Sequence, residues 1–256
     1  MTIILTISCK EGIIMFSDKR TSIEGKTHGI MDKIKRYNGF VVSFYGSVNL
    51  LEHACQLISD SDTLATASEK IFKMIKKINF TKGAPIDNSE SGFHLSSFMN
   101  ESPKIRHIFY RFSQKCKLLL KNENSNREKY DDYGSKKTFD TPRKYFFLIN
   151  GYGNDLGYIL LNEMNIDWSR TTFSEAVKIA REVFSKVFGH PSFKETCGDG
   201  MDYVKITPQI IEIVNHRDFL PASLPTEKIK YYEGRIIEHS RSLPLAASPS
   251  GLRIDL

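Results

Sequence analysis

The chain has 256 residues, 40% hydrophobic and 26% charged, enough to bury a sizeable core as one large domain or two small ones. Its net charge of +6 raises nucleic acid as a partner, but many basic residues gather in KMIKK and KLLLKNENSNREK, where a solvated helix face or loop accounts for them. No run approaches the ~20 apolar residues of a membrane span, no secretory leader opens the chain, and Cys9, Cys55, Cys116 and Cys197 lack paired spacing, so a cytoplasmic protein with free thiols and no membrane or nucleic-acid partner is expected.

Thr2 stands directly behind Met1 at the head of the apolar run TIILTIS. Once Met1 is removed, Thr2 carries a hydroxyl and a free α-amine, a nucleophile and its own base. TIILTIS, GIIMFSD and GFVVSFYG are nearly continuous apolar runs, which implies strands covered on both faces. Cys9-Lys10-Glu11-Gly12 is too short for a crossover helix, and Asn38-Gly39 between IKRY and FVVSFY is a strong hairpin signal, so these strands are expected to be antiparallel. An antiparallel sheet covered on both sides needs a second sheet on one face and helices on the other.

Val48, Leu51, Ala54, Cys55 and Ile58 recur at helical spacing, as do Leu64, Ala67, Ile71, Met74, Ile75 and Ile78 after the break SDSD. Both helices are expected on the outer face of the first sheet. GFHLSSFMN and PKIRHIFYRF read as a strand pair around Asn100-Glu101-Ser102-Pro103. From about 113 to 142 the composition turns to Lys, Asn, Ser and Asp, which predicts a polar insertion. KYFFLIN resumes the core as a strand, followed by GYGN and a short helix from Leu156 to Asn162. Thr172 and Glu175 form a capping box ahead of a helix ending at Gly189, and DYVKITPQIIEIV reads as two strands about Thr207-Pro208. Residues 1–218 are thus expected to form one domain, and 219–256 a C-terminal extension or arm. The predicted fold class is α+β, a four-layer αββα sandwich of two antiparallel sheets.

The chain resembles proteasome β-type subunits, within the N-terminal-nucleophile (Ntn) hydrolases that include HslV and the Anbu proteins. The residues that carry the likeness are Thr2 opening a strand, Glu11-Gly12-Ile13-Ile14, Ser17-Asp18-Lys19-Arg20, Asp32-Lys33-Ile34 and Ser43-Phe44-Tyr45-Gly46. Gly151-Tyr152-Gly153, Glu175-Ala176-Val177 and Cys197-Gly198-Asp199-Gly200 extend it. The resemblance implies a threonine-type peptidase in a self-compartmentalising homo-oligomer, a ring or related assembly, acting on peptide or unfolded protein with an ATPase unfoldase to feed it. By the same resemblance Thr2 is the nucleophile, Asp18 and Lys33 form a buried pair beside it, and Gly46 supplies an oxyanion amide. Arg20 supports the site, Ser22 and Gly46 lie where an extended substrate would pair, and Phe44 makes the first specificity pocket shallow. Gly153 and Cys197 stand at supporting positions.

The chain departs from the family pattern at two places. Tyr152-Gly153 replaces a Ser-Gly pair, and Lys194 and Cys197 stand where Asp-x-x-Ser has its Asp and Ser, so the Asp that orients the nucleophile's amine is absent or supplied by Glu195 or Asp199. Three other readings remain. They are a catalytically inactive subunit of the same fold, an Ntn amidohydrolase acting on small amides, and a nucleotide site at GYGNDLG, whose glycines resemble a phosphate-cradling turn. His28, His53, His94, His107, His190, His216 and His239 show no metal-ligand spacing, and neither a metal nor a cofactor is expected.

Overall fold

The apolar runs at the N-terminus fold as β1 (Ile3–Cys9) and β2 (Gly12–Asp18), a hairpin in which all fourteen residues are buried. This computed structural model describes residues 2–23, 26–46, 48–80, 91–99, 102–110, 134–138, 145–198, 200–216 and 223–242. The remaining strands are β3 (Arg20–Ile23), β4 (Lys26–Ile30), β5 (Ile34–Tyr37), β6 (Phe40–Tyr45), β7 (Ser91–Met99), β8 (Ser102–Tyr110), β9 (Gly134–Thr138), β10 (Phe146–Gly151), β11 (Met201–Ile206) and β12 (Ile211–His216). The helices are α1 (Val48–Leu57), α2 (Leu64–Phe80), α3 (Asn154–Glu163), α4 (Phe173–Gly189) and α5 (Thr226–Ser242). Strands and helices segregate along the chain and every pairing is antiparallel, an α+β architecture.

One five-stranded sheet has the order β10-β1-β2-β11-β12 and a second the order β5-β6-β7-β8-β9, while β3 and β4, among the described residues, form a two-stranded sheet of their own. The lack of polar alternation in β1 and β2 follows from what covers each face. Ile3, Leu5, Ile7, Ile14 and Phe16 pack with Leu156 and Leu160 of α3 and with Ala180, Val183 and Phe184 of α4. Ile13 and Met15, on the opposite face, share a cluster with Val204 and Ile206 of β11 and with Ile34, Val41 and Ile105 of the second sheet. Phe40, Val42, Phe44, Phe93, Leu95 and Ile108 face the other way, onto Leu51, Ala54, Ala67, Ile71 and Ile75 of α1 and α2. With each buried aliphatic or aromatic side chain contributing about 1.5–3 kcal/mol, these clusters are the main source of stability.

Three features depart from the sequence expectation. The β1–β2 and β5–β6 hairpins lie in different sheets, so α1 and α2 cover the sheet of β6, not that of β1. The β3–β4 hairpin had no signal, because KRTSIEGKTHGI lacks apolar alternation. Within the span read as an insertion, Gly134–Thr138 pairs with β8 as an edge strand; the rest of 113–142 and the turn residues Asn100 and Glu101 lie outside the described residues. The tail contains α5, whose Tyr232 is buried in the cluster of α3 and α4 and whose Tyr231 hydroxyl donates to Glu163 at 2.7 Å. The capping box at the start of α4 is present, with Thr172 accepting from the Glu175 amide and Glu175 accepting from the Thr172 amide.

A polar group crosses the space between the two sheets. His94 of β7 is fully buried, with Nδ1 2.8 Å from the Thr6 hydroxyl of β1 and Nε2 2.8 Å from Asn150 Oδ1 of β10. The Asn150 oxygen can only accept, so Nε2 carries the proton and Nδ1 receives that of Thr6. Burial pushes the His94 imidazole down to about 3. The native state therefore stays neutral while an unfolded chain binds a proton below roughly pH 6.5, so this contribution to stability is complete above that pH and is lost as pH falls toward 3, at about 1.4 kcal/mol per unit. Urea midpoints measured from pH 7 to pH 4 should fall steeply for the native chain and less steeply for His94→Gln.

Candidate active site

The end of β2 and the segment leading into β5 define the site. β2 ends in Asp18, and the segment between β4 and β5 ends in Lys33. Both side chains are buried, 0% and 2% exposed, and Lys33 Nζ lies 2.9 Å from Asp18 Oδ1. The same Oδ1 accepts from the Ile3 amide at 3.0 Å, and Oδ2 accepts from the Gly198 amide at 3.3 Å. Lys33 Nζ also donates to the carbonyl of Arg20. Burial pushes the Asp18 carboxyl up, against the pull of the Lys33 ammonium and the two amides. A buried ion pair is tolerated only when its remaining bonds are made, and here three donors converge on one carboxylate.

Thr2 is 3% exposed and is fixed by its backbone: its carbonyl accepts from the Tyr152 amide at 2.8 Å, and the next amide, Ile3, is the one held by Asp18. Gly151, with φ +97°, lies against this carbonyl, and a side chain there would place its Cβ 1.9 Å from the Thr2 oxygen. Gly46 follows β6 at φ +99°, where a Cβ would fall 2.1 Å from Ser91 Oγ and 2.6 Å from its Cα. Both positions need glycine for conformation and for space.

The segment Cys197–Gly198 closes the other side. Gly198 O accepts from the amides of Lys19 and Arg20, at 3.2 and 3.0 Å, and the Arg20 guanidinium lies over Gly198 while Nη1 donates to the Lys194 carbonyl. Cys197 Sγ is fully buried, 3.4 Å from the Tyr152 carbonyl; burial pushes its thiol up, with the Asp18 charge adding to the effect, so it is held as a thiol. Lys194 and Glu195 are exposed, and Asp199 lies outside the described residues. Met1 also lies outside them. The Ser22 backbone pairs with Thr27 in the small sheet. Phe44 packs under α1 and α2, tilted against Phe93 at 5.4 Å between ring centres, and is 1% exposed.

Lys19, the residue after Asp18, is also buried. Its ammonium reaches Asp202 of β11 at 2.8 Å and Asp32 at 3.1 Å. Burial opposes the Lys19 charge, but the two carboxylates prevail and hold it above the ordinary lysine range. The available signal was two Asp-Lys dipeptides, Asp18-Lys19 and Asp32-Lys33, with Asp202 far away in sequence.

The turn at GYGNDLG carries no phosphate cradle. Gly153, with φ +85°, caps α3, but its bare side faces Val187 and Phe193, where a Cβ would come within 2.8 Å of Val187 Cγ1. The buried carboxylate of Asp155 occupies the first turn of α3, where a phosphate would be repelled. Among the described residues no group of His, Cys, Asp or Glu is placed to hold a metal ion, and no helix is long and apolar enough to cross a membrane.

No family model matches the chain, and no curated protein matches it. Solved structures do. A mutant of Anbu from Hyphomicrobium sp. strain MC1 superposes with a TM-score of 0.56 at 13% identity, covering 94% of each chain. Anbu from the same strain gives 0.54 at 12% identity, covering 93% of this chain and 95% of that one. The chain has the Anbu-like fold that its sequence resemblance implies.

Proposed function

We propose that this chain is a threonine-type peptidase of the proteasome-like Ntn group, a four-layer αββα sandwich whose nucleophile is Thr2 after removal of Met1. The observation that carries the reading is Asp18 Oδ1, which accepts at once from Lys33 Nζ and from the Ile3 amide beside Thr2. That one atom links a buried cation to the amide that follows Thr2, the residue whose amine becomes free if Met1 is removed. The three apolar clusters support the layered fold, since one of them joins residues of both sheets and the other two set helices on opposite outer faces.

A threonine hydroxyl is a weak nucleophile at neutral pH, and an α-amine with a reference pKa near 8 is a competent proton acceptor. The Lys33 charge lowers the amine's affinity for a proton and so keeps it basic but free. Thr2 Oγ1 attacks the substrate carbonyl as its proton passes to the amine, and the Gly46 amide donates to the developing oxyanion, worth about 3 kcal/mol in such sites. The leaving amine takes the proton, and water then resolves the ester on Thr2. Arg20 and Cys197 brace the Gly198 segment against Asp18, and Gly153 holds the turn that bonds the Thr2 carbonyl. Ser22 and Gly46 would pair with an extended peptide, and the Phe44 ring would leave a shallow pocket. The resemblance further supports a homo-oligomer, a peptide or unfolded-protein substrate, an ATPase unfoldase as partner and a cytoplasmic setting. Residues 1–218 are read as the catalytic domain and 219–256 as a C-terminal extension or arm, of which α5 packs on α3.

A second reading is favoured by one observation: at the family's Asp position this chain has Lys194, which is exposed, as is Glu195. An amine with no carboxylate to orient it would suit an inactive subunit, or slower chemistry on small amides. The test is the intact mass of the purified protein before and after a threonine-directed epoxyketone. Loss of Met1 and an adduct on Thr2, absent in Thr2→Ala, is expected. Retained Met1 with no adduct overturns the peptidase reading in favour of the inactive subunit; where the adduct forms, peptide and small-amide panels separate the two active alternatives.

A further inference from the structure

The two Asp-Lys dipeptides are cross-bridged: Asp18 binds Lys33, and Asp32, the neighbour of Lys33, binds Lys19, the neighbour of Asp18. Lys19 is itself anchored on β11 by the buried Asp202 at 2.8 Å, and its carbonyl accepts from the Met31 amide at 2.9 Å. We propose that Lys19 is a positioning residue that clamps the Met31–Lys33 segment to the end of β2, and so sets where the Lys33 ammonium stands. The proposal rests on the reading of Thr2 as nucleophile and adds a residue which that reading does not use.

Pairing with Asp202 would by itself neutralise Lys19. Its third partner, Asp32, is 65% exposed and gains little from an ion pair for its own sake. What that bond does is tie the residue immediately before Lys33. Met31–Lys33 lies in neither a strand nor a helix, and beyond the Lys19 bonds its backbone is held by the Phe44 amide donating to the Lys33 carbonyl at 3.2 Å. Lys33 has four rotatable side-chain bonds, so a backbone free to shift would spread its ammonium over several positions around Asp18. Anchoring both Asp32 and Met31 on Lys19 removes that freedom, and Asp202 supplies the rigid end because β11 pairs directly with β2.

Asp32→Ala removes the side-chain bond of the clamp at a surface residue and leaves Lys19–Asp202 and the Met31 amide bond in place. It is expected to slow epoxyketone adduct formation on Thr2 about tenfold, with little change in reversible inhibitor binding, and to speed hydrogen exchange of the Phe44 amide by about the same factor, while core amides such as Leu5 and Val204 keep their protection. Lys19→Arg, which keeps a donor for both carboxylates, is expected to hold both readouts near the native values. Because Lys19→Met alone strands the Asp202 charge and risks misfolding, the companion variant is Lys19→Met/Asp202→Leu, expected to behave like Asp32→Ala. Native exchange at Phe44 in folded Asp32→Ala and in the double variant overturns the clamp, whatever the activity. Faster exchange at Phe44 with no adduct in the native chain overturns the Thr2 reading and leaves the clamp standing.

Discussion

Lys33→Met is expected to cost this protein about 3–5 kcal/mol of stability and to slow acylation of Thr2 on the order of a thousandfold. The stability loss follows from Asp18, whose carboxylate would stay fully buried with two amide donors and no cation. On the proposed reading, the rate loss follows from losing the charge that lowers the proton affinity of the Thr2 amine. The two effects separate in Asp18→Asn/Lys33→Met, which removes both charges. That variant should recover most of the urea midpoint lost by Lys33→Met and none of the epoxyketone adduct rate. If the double variant regained reactivity together with stability, Lys33 would be a structural residue only.

Gly151→Ala should destabilise the chain by about 3 kcal/mol or more, the combined cost of left-handed backbone and forced overpacking. At φ +97° a Cβ would sit 1.9 Å from the Thr2 carbonyl oxygen and 3.2 Å from Ile3 Cα, so β1 or β10 must move. Gly39→Ala is the internal control. Gly39 has φ +82° and nothing within 4 Å of where a methyl would project, and its cost should stay near ~1 kcal/mol. Because the displaced atoms belong to Thr2, Gly151→Ala should also slow adduct formation about a hundredfold, as a displacement of roughly 1 Å at a reacting group does. Thermal unfolding and adduct kinetics on the same samples check both figures. An unchanged adduct rate would mean that the Gly151 turn does not hold the nucleophile.

Much of the fold was legible because it depends on local pattern. Fourteen buried positions in β1 and β2 leave runs of apolar letters that no exposed hairpin could carry, and Asn38-Gly39 and the Thr172–Glu175 box are local turn and cap chemistry. Thr2, Asp18, Lys33 and Gly46 were singled out by resemblance, through their order and spacing along the chain, and of these the structure joins Asp18 to Lys33 and to the amide after Thr2. The β3–β4 hairpin and β9 were not legible. Their strands are short and polar, so their letters carry no apolar alternation from which a strand could be read.

The sequence by itself determined where most of the strands and helices lie, that the N-terminal strands pair antiparallel, and that a threonine heads the first of them. Periodicity and turn chemistry act within a few residues, which is why they can be read without coordinates. Tertiary structure alone decided that the two N-terminal hairpins part into different sheets, that His94 is bonded to both β1 and β10, and that Lys19 turns inward to Asp202, 183 positions away. A lysine at a strand end is solvated unless carboxylates meet it there, and one of the two that meet Lys19 arrives on β11, which is distant from β2 in the chain and adjacent to it only in the folded sheet.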